Sequence, residues 1–366
     1  MTTTTPLQAT PPDAGEPPVK RSISGAVVGR LIGGQGLLIV VLAFGLLLSI
    51  LSPVFLTPVN LINLLYQSTI LGVFAIGMTF VILTAGIDVS VGATAAVTSV
   101  LSMGIIVRMG MPDFVGIIGG LVIGILIGAI NGFMVTKLGI SPLIATLATL
   151  SAGVGLAFAY SDGGNITPVP TALTSAVNAK ILGIPLLIPA VLLLAFLAHL
   201  LLTRTTFGRS IYAVGGNKEA AQLAGIRVDR IVLLAYVICG LTAALAGLLL
   251  TGRLASGSPR AGDGIELTVI AAVVIGGTSL FGGQGNIKGT LLGVLLISMV
   301  SNAVNLLGIP SSYDKIVQGA VIFGAAALDV YRYKYVQRGL SRRAKVAPPP
   351  PAAPSAPASD PLTTPR

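Results

Sequence analysis

TRTTFGRSIYAVGGNKEAAQLAGIRVDR, residues 203–230, is the one long polar run inside an otherwise apolar chain. It sets Arg204, Arg209, Lys218, Arg227 and Arg230 against Glu219 and Asp229. Two short helices are legible in it. Thr206 precedes FGRSIYA and Gly215 follows it, while Asn217 precedes KEAAQLA and Gly225 follows it, the start and stop residues that helices favour. A helix of about seven residues does not hold in water unaided, because nucleation costs more than so few hydrogen bonds return. These two must lean on the apolar core of their own chain or on a partner protein.

The flanking sequence says what kind of core that is. The chain is 54% hydrophobic, only 9% charged, and carries 46 glycines, a composition suited to an all-α polytopic membrane protein whose solvent is lipid. One cysteine, Cys239, and no tryptophan exclude a disulfide framework, and Cys239 reads as a small buried hydrophobe. A crossing helix needs about 20 apolar residues. Residues 31–87 lack any charge and hold two crossings, with a break near Ser52-Pro53 and Thr57-Pro58. Further uncharged windows run over 89–107, 114–136, 138–161, 181–203, 231–252, 267–287, 289–313 and, short but followed by Tyr331, Tyr333 and Tyr335, 316–328. Ten crossings are expected.

An even count places both ends on one side, and the charges choose it. With ten spans, the side holding both termini and 203–230 collects 17 Lys and Arg against 7 acids, the whole net charge of +10. The other side balances Arg108, Lys180, Arg253, Arg260 and Lys315 with Asp113, Asp162, Asp263, Glu266 and Asp314. The positive-inside rule makes the first side cytoplasmic. The basic balance is therefore topological and calls for no nucleic acid. Residues 1–30 and 336–366, rich in Thr, Pro and Ala, read as disordered cytoplasmic tails around a transmembrane unit at 31–335. No small-residue cleavage site follows the first apolar stretch, which reads as an uncleaved helix.

Gly116, Gly120, Gly124, Gly128 and Gly132 recur every fourth residue, a stripe that lets a neighbouring backbone approach closely. The polar groups placed inside the apolar windows are uncharged: Gln67, Thr79, Asn131, Thr146, Thr149, Asn302, Asn305 and Gln318. Hydroxyls and amides suit a path for a neutral, hydroxyl-rich solute, with Asn131, Thr146, Asn302 and Asn305 as its candidates; hydrogen bonding between helices is the competing role. Catalytic chemistry is missing. No Lys precedes Ser or Thr, so there is no phosphate-binding loop, and the glycines at 283 and 285 meet Lys288 where a dinucleotide fingerprint needs its third glycine. The single histidine, His199, has no acid or thiol near it in sequence, and no metal site or nucleophile with a base is evident.

Two glycine-rich segments stand beside the polar run on the basic side. In GIDVSVG, Gly86, Ser90 and Gly92 surround Asp88, which reads either as a cap for the following helix or as a proton or ion site. In GGTSLFGGQGNIKG, Gly276, Gly277, Ser279, Gly282, Gly283 and Gly285 permit a tight turn. The two share a loose likeness, VILTAGIDVSVG against VVIGGTSLFGGQG.

With these motifs in view, GMTFVILTAGIDVSVG (77–92), TTFGRSIYAVGGNKEAAQLAGI (205–226) and ELTVIAAVVIGGTSLFGGQGNIKGTLLG (266–293) resemble the inner-membrane permeases of bacterial ATP-binding cassette importers for monosaccharides, the ribose permease group. The likeness runs through about residues 37–333, outside the tails. It implies a ten-helix fold that pairs with a second, identical permease subunit as a dimer; a periplasmic sugar-binding protein that delivers substrate; and a separate cytoplasmic ATPase that binds the ATP, leaving no cofactor on this chain. It assigns coupling to that ATPase to Gly208, Arg209, Gly215, Gly216, Asn217, Ala221, Gly225 and Ile226. Ala224 stands where relatives carry serine, Val89 where they carry leucine, and Gln284 and Asn286 where some are basic. Ribose, xylose, arabinose and galactose all fall within the group. An amino-acid permease of the same superfamily and a proton-coupled transporter using Asp88 are the alternatives.

Overall fold

Ser52-Pro53 and Thr57-Pro58 interrupt the first uncharged run as expected, because proline lacks the N–H that would continue a helix. In the computed structural model, which describes residues 35–310 and positions 313, 316, 319, 320 and 323, helix α1 (Gln35–Leu51) ends there and α2 (Pro58–Leu83) begins. Thr57 caps α2 through its hydroxyl, with a proline in the first turn. Then follow α3 (Val91–Met103) with a π-helical turn (Gly104–Arg108), α4 (Asp113–Thr136), α5 (Pro142–Ser161), α6 (Thr171–Asn178), a two-residue hairpin β1 (Lys180–Ile181) and β2 (Ile184–Pro185), and α7 (Leu187–Arg204). The polar run forms α8 (Thr206–Gly216) and α9 (Lys218–Leu223), and α10 (Val228–Leu254), α11 (Ile265–Ile275) and α12 (Ile287–Leu306) complete the described residues.

Seven of these helices, counting α3 with its π turn as one, are long and apolar enough to cross a membrane, and α1 and α11 are shorter apolar helices. The chain is a polytopic helical membrane protein. The expected window 316–328 and both tails lie outside the described residues, isolated positions apart. One window is corrected. The uncharged stretch 267–287 is helical only through Ile275; Gly276 to Asn286 is a turn-rich loop. An 11-residue helix rises about 16 Å, half of the ~30 Å hydrocarbon. Uncharged Gly, Ser and Thr made the loop look like the rest of a span.

The core forms where α2 and α10 cross, burying Val73, Phe74, Met78, Phe80 and Val81 of one against Ala235, Tyr236, Cys239 and Ala243 of the other. The glycine stripe of α4 packs against α10 on one side and α3 on the other. All five glycines are buried; a methyl at Gly124 would strike the Ala244 side chain and the Gly240 carbonyl, and one at Gly128 the Tyr236 carbonyl. The outer sides of α4, α5 and α7 expose Ile118, Leu126, Ile130, Leu147, Leu192 and Phe196, the apolar surface that lipid tolerates.

After α10 the chain turns back into the bundle. Gly257 lies against Met103 and Ser99, Ser258 N donates to Ser99 Oγ at 3.0 Å, and Gly262 sits against Gly92 and Ala95. Residues 255–264 thus run along α3 from one end towards the other before α11 starts. Irregular backbone at such depth holds only where protein or a water-filled cavity satisfies it.

Candidate functional site

The three glycine-rich or polar motifs meet at one end of the bundle. Gly283 N donates to the Leu83 carbonyl at 2.9 Å, and Tyr212 of α8 donates its hydroxyl to Gly285 O at 2.9 Å. Gly215 is packed so tightly against the Leu83 carbonyl and Gly283 N that no side chain fits. Gly282 and Gly283 take positive φ, 83° and 70°, and their backbones press on Ala85 and on Gly216, an approach that glycine permits. Gly276 packs on Gly289 of α12 in the same way, Gly277 turns at φ 90°, and Ser279 N is held by Gln284 O at 2.9 Å.

The polar run answers its own question in two parts. Helix α8 leans on this chain: Gly208, Ile211, Val214 and Gly215 are buried. Its cap is Thr205, whose hydroxyl accepts from Gly208 N at 3.1 Å, one residue earlier than the Thr206 expected. It also runs through Gly215 to Gly216, because Gly215 serves as a contact, not as a stop. Helix α9 is different. Asn217 Oδ1 caps it from Ala220 N at 2.9 Å, and Gly225 closes it at φ 81°, both as expected. From Gly216 to Gly225 only Ala221 is buried, and Leu223 is 90% exposed. Ala221 and the half-buried Ile226 tether it to the core. Arg209 is exposed beside it. A six-residue helix with one anchored side presents the rest of its surface outward.

Inside this end, Asp88 is 1% exposed. Its Oδ1 accepts from Ser90 N at 2.9 Å and from Ser90 Oγ at 2.6 Å, with Cys239 and Asn131 also donating to it. Burial pushes the Asp88 carboxyl above its ordinary range, and the Ser90, Cys239 and Asn131 hydrogen bonds oppose that. Asn131 Nδ2 donates to Ser90 Oγ at 2.8 Å, and Asn131 Oδ1 accepts from Thr149 Oγ1 at 2.6 Å. Thr146 Oγ1 accepts from Val89 N at 3.2 Å, and the Tyr236 hydroxyl reaches Ile87 O. Asp88 therefore ties down the loop that opens α3. Gly86 and Gly92 are buried beside it, Gly92 touching Gly262 O and a carboxylate oxygen of Glu266.

The four path candidates do not line one path. Asn131 and Thr146 belong to the Asp88 network. Asn302 lies at the opposite end, paired amide to amide with Asn60 at 2.9 and 3.2 Å, and Asn305 is exposed and bonded to Ser301 O. Asn302 joins α12 to α2 and Asn131 joins α4 to α5, the glue role, while Asn305 bonds only within α12. What sequence reading missed is the returning loop. Arg260, Asp263 and Glu266 were weighed only as balanced charge, although Gly262 and Gly264 between them, just before a short apolar window, signal a break. That loop borders a cavity of about 440 Å³ towards α2, α10 and α12, and one of about 290 Å³ towards α3 and α5.

Comparison with known proteins gives this arrangement its context. A family profile described as branched-chain amino acid transport system / permease component matches residues 60–326. The ribose import permease protein of Bacillus subtilis (strain 168) is 49% identical over 85% of this chain and 95% of its own length. The D-allose transport system permease protein of Escherichia coli (strain K12) is 37% identical over 80% and 89%, and that organism's L-arabinose transport system permease protein 36% over 84% and 93%. No solved structure matches. Permeases of this kind are transport subunits of ATP-binding cassette systems, not enzymes, and work with an ATPase and a substrate-binding protein in the bacterial inner membrane. With its apolar helices, its three motifs gathered at one end and a family match across most of its length, the chain belongs to the branched-chain amino acid transport system / permease component family.

Proposed function

We propose that this chain is the membrane-spanning subunit of an importer that moves a monosaccharide, ribose or a similar pentose or hexose, from periplasm to cytoplasm. It crosses the membrane ten times with both termini and the motif end in the cytoplasm. Two identical copies pair, a periplasmic binding protein delivers sugar, and a separate ATPase docks on α8–α9. The observation that carries the reading is α9: capped at both ends, held by Ala221, and otherwise exposed at the end where α8 rests on the 83–88 and 276–286 loops. Force applied to α9 passes through α8 and Gly215 to the helix ends that meet there. Energy must come from another chain, since this one has no phosphate-binding loop. The names of relatives at 36–49% identity, ribose, D-allose and L-arabinose permeases, favour a sugar over an amino acid.

The test uses the importer rebuilt in proteoliposomes from this chain, its ATPase and its binding protein. A Cβ at Gly216 would meet nothing within 4 Å, so Gly216→Trp, which keeps the Asn217 cap and the Gly215 contact, burdens the exposed side of α9. ATP hydrolysis should continue while sugar uptake falls at least about tenfold, ~1.4 kcal/mol of coupling. Uptake at the wild-type rate overturns the coupling assignment, and uptake of branched-chain amino acids in place of sugars selects the amino-acid reading.

A further inference from the structure

Away from the motif loops, α6 and the β1–β2 hairpin form a cap against α2 and the end of α10. Val177 of α6 packs on Gly252 of α10, and the Tyr66 hydroxyl of α2 donates to the Val177 carbonyl at 3.3 Å. Leu186 N donates to Ala179 O at 2.8 Å and closes the hairpin, with Pro185 buried at its base. Beyond that seat the hairpin turns outward. Ile181, Leu182 and Ile184 are exposed, Leu182 at 98%.

Those residues are a costly choice for a turn in water. Leu182 and Gly183 link the paired Ile181 and Ile184 with φ of 53° and 83°. A two-residue turn with both φ positive favours Asn-Gly or Asp-Gly, and a leucine there carries the clash of its Cβ with the following carbonyl. Strain is accepted to hold a large apolar side chain out of the fold. Water returns nothing for it, whereas a hydrocarbon surface returns the burial of three apolar side chains.

Depth puts a lipid surface at that point. Leu83 meets Gly283 at the motif end, and Tyr66 lies on the same helix, α2, about 26 Å away along its axis. The hydrocarbon is ~30 Å thick, so Tyr66 marks the opposite boundary. At that level the Arg253 guanidinium lies 5.0 Å from the Tyr66 ring centroid, an aromatic residue and a cation where the chain meets headgroups. The helix that follows the hairpin, α7, exposes Leu192, Leu193, Phe196 and Leu197, and the tip continues that lipid-facing surface. Charge agrees. Lys180 is exposed at the foot of β1, and the sequence holds no Asp or Glu between Asp162 and Glu219. A lysine whose stem lies along apolar residues carries its ammonium to anionic headgroups.

We propose that the β1–β2 hairpin is a membrane anchor. Ile181, Leu182 and Ile184 enter the leaflet remote from the motif loops at headgroup depth, with Lys180 among the lipid phosphates. The anchor holds α6, and through Val177 the end of α10, against the membrane. It does not depend on what the chain transports.

The chain contains no tryptophan, so Leu182→Trp in the full chain carries a single indole at the tip. The variant is reconstituted without other proteins in vesicles of phosphatidylethanolamine and phosphatidylglycerol. Its fluorescence is followed with brominated phosphatidylcholine in the bilayer and, separately, with acrylamide on both faces; N-acetyltryptophanamide in buffer is the reference. The expected result is acrylamide quenching several-fold weaker than the reference, and strong quenching by bromines near the carbonyl end of the acyl chains. Acrylamide quenching equal to the reference, with none by bromolipid, puts the tip in water, where a docking site for a soluble partner would stand, and overturns the anchor. Shielding from both quenchers puts the tip against a second copy of the chain and overturns it as well.

Discussion

Gly215 and Gly216 are neighbours in sequence with opposite surroundings. A methyl at Gly215 would collide with the Leu83 carbonyl and Gly283 N, backbone atoms that cannot step aside, whereas at Gly216 it would meet nothing within 4 Å. Gly215→Ala should detach α8 from the loop at 83–85 and abolish uptake, and Gly216→Ala should leave uptake within about twofold; equal effects in an uptake assay would contradict the packing described. The sequence showed both as a helix stop, because a Gly-Gly pair carries no sign of which member is a contact. Asp88 was ambiguous for a similar reason. Its carboxylate is read as a tie, not a proton carrier, since Ser90, Asn131 and Cys239 saturate it. Asp88→Asn should lower the melting temperature of the purified protein, at a cost of about 1–3 kcal/mol for the misplaced buried donors. Wild-type uptake should be unchanged when a protonophore collapses the proton gradient; its collapse would restore the proton-coupled alternative.

Among elements, the amphipathic and capping signals were readable and the depth was not. The stripe on α4 foretold close packing, and α4 indeed meets α10 backbone to backbone at Gly124, Gly128 and Gly240. Gly124→Val places branched carbons on the Ala244 side chain and the Gly240 carbonyl; overpacking of this kind costs typically 1–3 kcal/mol or more, so the variant should melt earlier than Gly155→Val, whose added atom meets open space. Equal melting curves would remove the stripe from the account. Helix α11 was overestimated because hydropathy counts charges and oily residues along the chain and is blind to a turn of Gly, Ser and Thr. The returning loop escaped notice for the complementary reason: its charged residues looked like an ordinary exposed connection, while tertiary packing against α3 drew it inward.

For the molecule as a whole, composition decided the class, and charge asymmetry pointed the polar run towards the side where ATP is found. Long-range closure was beyond sequence reasoning. Nothing in the spacing of GIDVSVG, TTFGRSIYAVGGNKEAAQLAGI and GGTSLFGGQGNIKG says that Leu83, Gly215 and Gly283 touch. That contact turns three motifs into one device, with α9 as its exposed end. The central claim is that the ATPase grips α9. Leu223, 90% exposed, offers the direct test through Leu223→Cys in the assembled importer, probed with a short bifunctional thiol–amine cross-linker. A cross-link to the ATPase subunit whose yield changes when ATP is added is the result expected here. Full reactivity of Leu223→Cys towards a soluble thiol reagent in the complete complex, with no cross-link in any nucleotide state, would contradict it.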